Sequence, residues 1–224
     1  MLRRKGHMFI ALITICILFS LGGCLNQKTA LEKMYEVMEK VVKAENTFED
    51  QQDPLVRVEQ EEKELYDQII TLGMKEYDQI VKRADKALLL VDEREKLMKL
   101  ETESIEKSKE QFKELYSLIK ELDDEKMKKD ANHLYTIMMD RYEIHHELEQ
   151  SYTKALEYDK ELYNLFKRKD LTLEQVENQI NQINQTYEEI YKINDRFNNQ
   201  TQKYNDLKLK FYKEAGFNIV NMEK

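Results

Sequence analysis

The 224-residue chain is 36% charged and 41% hydrophobic, with one proline and five glycines; the length suits one domain or two small ones, and such proline and glycine poverty points to long helices. Its net charge of −8 falls to −11 once the three cations Arg3, Arg4 and Lys5 are removed with a leader. That balance disfavours nucleic acid, whose binding depends on cations at phosphate, and adsorption to anionic lipid through side chains alone; two cysteines, one of them inside an apolar run, exclude a disulfide framework.

Residues 1–23 have the layout of a secretory signal: a basic start, an apolar run from Met8 to Leu21, then small residues. The run is shorter than the roughly 20 residues a bilayer span needs. Its ending, Leu21-Gly22-Gly23-Cys24, resembles the bacterial lipobox. The resemblance implies cleavage between Gly23 and Cys24 and a diacylglycerol thioether on Cys24. Two acyl chains anchor a protein stably where one does not. Residues 24–29 are expected to be the lipidated cysteine and a short tether, and residues 30–224 a helical bundle domain.

Four segments of similar length follow the tether. The first, Ala30 to Leu72, carries Leu31, Met34, Met38, Val41 and Phe48 at helical spacing, then Val58, Leu65, Ile69 and Leu72. "EDQQDP" reads as a break near Pro54, with Asp53 capping and Pro54 in the first helical position of a new helix. The second, Lys75 to Leu122, repeats Tyr77, Ala84, Val91, Met98, Ile105, Phe112 and Ile119 at sevens, the period of left-handed supercoiled packing. The third, Asp124 to Lys169, has a stripe through Leu134, Met138, Tyr142, Leu148, Tyr152, Leu156 and Phe166, and ends on three cations that suit a helix C-terminus. The fourth opens on "LTLEQV", where Thr172 and Gln175 match a capping box and Leu171 and Val176 a hydrophobic staple. Val176, Ile183, Ile190, Phe197, Tyr204 and Phe211 repeat at sevens, while the companion row of Ile180, Tyr187, Asn194, Thr201 and Lys208 turns polar, and Gly216 stops the helix.

Short joints near Gly73, Asp123 and Asp170 force neighbouring helices antiparallel. The expected fold is all-α: an elongated antiparallel four-helix up-and-down bundle with coiled-coil-like packing, its first leg broken near Pro54. At about 1.5 Å per residue the legs give a rod of roughly 65–70 Å. A helix running straight through Gly73 is the competing arrangement, since Ile70, Tyr77 and Ala84 keep the seven-residue phase across it.

The lipobox at Cys24, the tether and a long helical domain containing "FEDQQDPLVRVEQEEKELYDQI", "ALLLVDEREKLMKLE" and "FYKEAGFNIV" together resemble the YkyA-like cell-wall-binding lipoproteins of Gram-positive bacteria. The resemblance covers nearly the whole chain. It implies a four-helix bundle held at the outer face of the cell membrane, with Cys24 the one functional position that carries over.

No catalytic residue, cofactor or metal site is expected. Glutamates alternate with lysines, as in "EKSKEQFKE", which is the pattern of a solvated helix face. Glu143 and His146 have the Glu-x-x-His spacing of di-iron bundles, but those sites need a second such motif on another helix. His133, His145 and His146 all fall on the third segment. His145 lies on the apolar stripe and reads as a hydrogen-bonded core histidine. Arg94, Glu101, Asp159, Asn194 and Thr201 occupy inward-reading positions, where polar groups fix helix register. "NQINQINQTYEEIYKINDRFNNQTQKYN" interleaves uncharged amides with aromatics. Amides both donate and accept, and tyrosine rings stack, so Tyr187, Tyr191, Asn194 and Asn198 form a candidate partner strip. The functional expectation is a non-enzymatic, membrane-anchored lipoprotein on the extracytoplasmic face that binds peptidoglycan or an envelope protein. The alternative is a chaperone-like accessory that holds exported chains.

Overall fold

The computed structural model describes residues 28–217. The expected leader, Gly23, Cys24 and most of the tether lie outside the described residues, as does the tail from residue 218. Three of the four legs start on a side-chain cap, at Thr29, Asp124 and Thr172. Thr29 accepts from the Glu32 amide while Glu32 accepts from the Thr29 amide, a reciprocal box that opens α1 (Ala30–Ala44). After α2 (Asn46–Thr71) the chain turns at Leu72–Gly73, passes through a 3₁₀ turn at Met74–Glu76 and enters α3 (Tyr77–Phe112). The helix does not run through Gly73. A tightened turn at Lys113–Glu114 leads into the short α4 (Leu115–Lys120), which prolongs the same leg, since Ile105, Phe112 and Ile119 stay buried at intervals of seven. Asp124 accepts from the Met127 amide at 2.8 Å and starts α5 (Glu125–Phe166). The Thr172–Gln175 box starts α6 (Leu173–Glu214). Gly216, at φ 77°, closes α6 with Phe217 N–H donating to Tyr212 O, and the Phe217 ring settles on Tyr35.

The result is an up-and-down bundle of four legs, with no strand among the described residues. One expectation needs correction. The first leg does not break at Pro54, which sits inside α2 while its neighbours Leu55 and Val58 are buried in the bundle. The break is at Glu45, and its cause is tertiary. Ser104 Oγ on α3 donates to Ala44 O at 2.6 Å and accepts from Phe48 N at 3.1 Å, serving as the cap for both helix ends. The Glu45 carboxylate is drawn inward by Arg141, in a two-pronged pair at 2.9 and 3.0 Å, and by Ser108 at 2.6 Å.

Two apolar clusters fill the rod. One joins α1 and α4 with the first half of α5 and the end of α6; the other joins α2 and α3 with the second half of α5 and the first half of α6. A polar girdle lies between them: Glu45–Arg141–Thr201 and Gln52–Glu101–His145. Consecutive legs pack closely, but the backbones of the first leg and α6 stand apart and meet through side chains.

Candidate binding groove

That open seam decides where a ligand can go. Near the chain ends it is filled by aromatics, with Tyr212 against Tyr35 at 5.0 Å and its hydroxyl donating to Glu39. Farther along, α2 and α6 part into a groove of about 640 Å³, which continues past Tyr191 into a smaller recess of about 200 Å³. Tyr66, Tyr163, Tyr187 and Tyr191 supply aromatic walls, and Leu162, Ile180 and Ile183 an apolar one.

The groove floor is a buried ion cluster to which all four legs contribute. Arg94 of α3, 2% exposed, donates from Nη1 to Glu62 of α2 at 2.7 Å and to Asp159 of α5 at 2.9 Å. Its Nε donates to Tyr152 Oη at 2.9 Å, and its Nη2 to Tyr187 Oη of α6. The tyrosines relay onward: Tyr152 donates to Glu59, Tyr187 to Asp159 and Tyr163 to Glu62. Every guanidinium nitrogen is thus engaged. A removed partner would leave a charge stranded in low dielectric, which is why such clusters hold one geometry. Burial pushes the Glu62 and Asp159 carboxyls above the usual carboxylate range, against the pull of Arg94. It likewise pushes the hydroxyls of Tyr152, Tyr163 and Tyr187 upward, so they act as neutral donors.

The residues singled out in the sequence fall in several places. Arg94 and Asp159 meet directly, and Glu101 holds His145 Nε2 at 3.2 Å, with His145 buried beside Phe197. Thr201 is half-buried and accepts from Arg141 Nε at 2.7 Å. Asn194 is not inward: it is exposed, because the row through Ile180, Tyr187 and Asn194 faces the parted seam rather than a packed neighbour. Tyr187, Tyr191, Asn194 and Asn198 all line the groove or its recess. Glu143 and His146 lie on the exposed face, paired with Lys109 and with Gln150. Sequence reasoning missed Glu62, Glu45 and Arg141. The first and last left a signal, since Glu62 keeps stripe spacing with Val58, Leu65 and Ile69, and Arg141 with Met138, His145 and Leu148.

The described residues thus form an extended four-helix bundle with an opening along one seam, and no helix among them is long and apolar enough to cross a membrane. Residues 29–214 match the YkyA family, described as "Putative cell-wall binding lipoprotein". The lipoprotein YkyA of Bacillus subtilis (strain 168) is 34% identical over 217 residues, spanning 97% of this chain and 96% of that one. The chain belongs to this family, and is a lipoprotein of Gram-positive type, anchored at the extracytoplasmic face of the membrane. A 1.6 Å crystal structure of a conserved protein of unknown function from Staphylococcus aureus shares the fold at TM-score 0.72 and 18% identity. The match covers 83% of this chain and 96% of that one.

Proposed function

We propose that this lipoprotein binds cell-wall polymer, peptidoglycan in particular, in the groove between α2 and α6, and that acyl chains on Cys24, exposed by cleavage after Gly23, hold it at the membrane. The observation that carries this reading is the groove itself, an opening of about 640 Å³ walled by four tyrosines. Aromatic faces and amide side chains suit the rings, hydroxyls and peptide groups of such a polymer. Its position on the rod fits as well. The N-terminal end packs with α4 and Phe217, whereas Glu59–Tyr66 lie some 30 residues farther along the first leg, about 45 Å at helical rise. A rod standing upright on its anchor would hold the groove well away from the lipid surface.

Full-length protein in detergent should co-sediment with purified sacculi. Tyr191→Ala, at a side chain 69% exposed on the rim, should weaken this several-fold without changing helix content. Absence of co-sedimentation sinks the wall reading. Fractionation of a Cys24→Ser form tests the anchor, which predicts an uncleaved, unacylated chain. The apolar wall of Leu162, Ile180 and Ile183 favours one second reading, a holder of exported chains; suppression of aggregation of an unfolded client by the wild type, lost when Ile183 becomes Asp, would support it.

A further inference from the structure

The charge of the groove narrows the chemistry of what enters it. Five carboxylates line it, Glu59, Glu62, Asp67, Asp159 and Glu188, against the two cations Lys63 and Arg94. Only one of these cations, Lys63, is accessible, and it is an exposed ammonium in a surface pair. Lys63 is paired with Asp67, and Arg94 is buried with all its nitrogens engaged by two tyrosines and two carboxylates, while Glu59 stands at 3.6 Å. An anionic polymer or phosphate would therefore meet five carboxylates against one accessible cation, Lys63, on the groove lining.

The carboxylates are not equally satisfied. Both oxygens of Glu62 are taken, by Arg94 and Tyr163. Asp159, only 6% exposed, uses Oδ2 for Arg94 and Tyr187, and among the described residues no donor reaches its Oδ1. Glu59 spends Oε1 on Tyr152, and none reaches its Oε2. Both residues sit against the same guanidinium and both line the groove. Asp159 is buried and Glu59 is 38% exposed at its side chain, and a charged donor at such oxygens makes a stronger hydrogen bond than a neutral one. The neighbouring tyrosine faces favour a cation.

Resting on the wall-binding reading above, we infer that the groove takes a primary ammonium group carried on an extended chain, bound by Asp159 Oδ1 and Glu59 Oε2 between the tyrosine walls. The ammonium supplies three donors and a positive charge, which answers both free oxygens and offsets the excess of carboxylate over cation. The amine of a wall peptide and a free polyamine share this chemistry.

The test is calorimetric titration of the full-length protein in detergent with 1,5-diaminopentane, with the N,N′-diacetyl derivative as the uncharged control. Saturable diamine binding is expected, with no binding of the diacetyl compound. Loss of one charged hydrogen bond in Glu59→Gln or Asp159→Asn should weaken the diamine about tenfold. Should Asp159→Asn unfold, Glu59→Gln, at a partly exposed side chain, decides alone. No diamine binding, equal binding of the two probes, or unchanged affinity in Glu59→Gln overturns the inference. Sacculi whose amines have been acetylated separate the sources: lost co-sedimentation assigns the wall-peptide amine, and retained co-sedimentation with intact diamine binding assigns a free polyamine. Sacculus binding without any diamine binding overturns the amine inference and leaves the wall reading standing. Diamine binding without sacculus binding does the reverse.

Discussion

Arg94 is the residue on which the floor of the groove depends. It sits among Glu62, Asp159 and Glu59, so one guanidinium faces three carboxyls. Arg94→Met removes the cation and leaves buried carboxylates unpaired, a change that costs about 3–5 kcal/mol in comparable settings. Urea unfolding at neutral pH should show that loss, and the deficit should shrink on acidification as the stranded carboxyls take up protons. The wild type has its own pH slope. Burial raises the Glu62 and Asp159 carboxyls in the folded chain above their ordinary values of 4.5 and 3.8. Above those values the folded state therefore holds more protons than the unfolded state. Stability from this pair is fully present below the ordinary carboxylate values and declines as pH rises through the folded ones. Unfolding midpoints followed from neutral pH down toward 4.5 should rise on this account. Glu62→Gln, which keeps the shape and removes one of the two titrations, should flatten the slope. An unchanged slope in that variant would place the titration elsewhere.

The elements divide into those whose boundaries are written locally and those set from a distance. Thr172 and Gln175 form the box their spacing announces, Asp124 caps α5, and Gly216 stops α6 with its left-handed backbone. These depend on atoms within a few residues, so a linear reading reaches them. The break in the first leg does not. Pro54 was the local signal, yet Ser104, Ser108 and Arg141, all distant in sequence, place the break at Glu45. The groove was half legible for the same reason. The polar turn of the row Ile180, Tyr187, Asn194 and Thr201 is visible in the sequence. That this row faces an opening depends on how far α2 stands from α6, which no residue pattern states. Glycine gives a direct test of local control. Gly73 has φ −92° with nothing within 4 Å of an added Cβ, whereas Gly216 has φ 77°. Gly73→Ala should be neutral or stabilise by about 0.4–1 kcal/mol through the unfolded chain. Gly216→Ala should cost about 1–2 kcal/mol, read as a lowered thermal midpoint.

For the whole molecule, the unequal seams predict unequal motion. α3 packs against the first leg and α5, and α5 against α3 and α6, whereas α2 and α6 each have one close helical neighbour and face the groove on the other side. Amide exchange follows the free energy of local opening, which is lowest where few buried contacts must be broken. Hydrogen exchange should therefore be faster in α2 from Leu55 onward and in α6 up to Asn194 than in the facing stretches of α3 and α5. The opposite half of the rod gives an internal control. There Tyr35, Tyr212 and Phe217 close the seam with ring contacts of 4.9–5.8 Å, so α1 and the end of α6 should exchange more slowly than the groove walls. A ligand bridging α2 and α6 replaces the missing helix–helix contact and should slow exchange on both walls together, by mass action on the closed state. Equal protection of all four legs in the free protein would mean that the seam is shut in solution, and that no ligand could enter between α2 and α6 without first prising them apart.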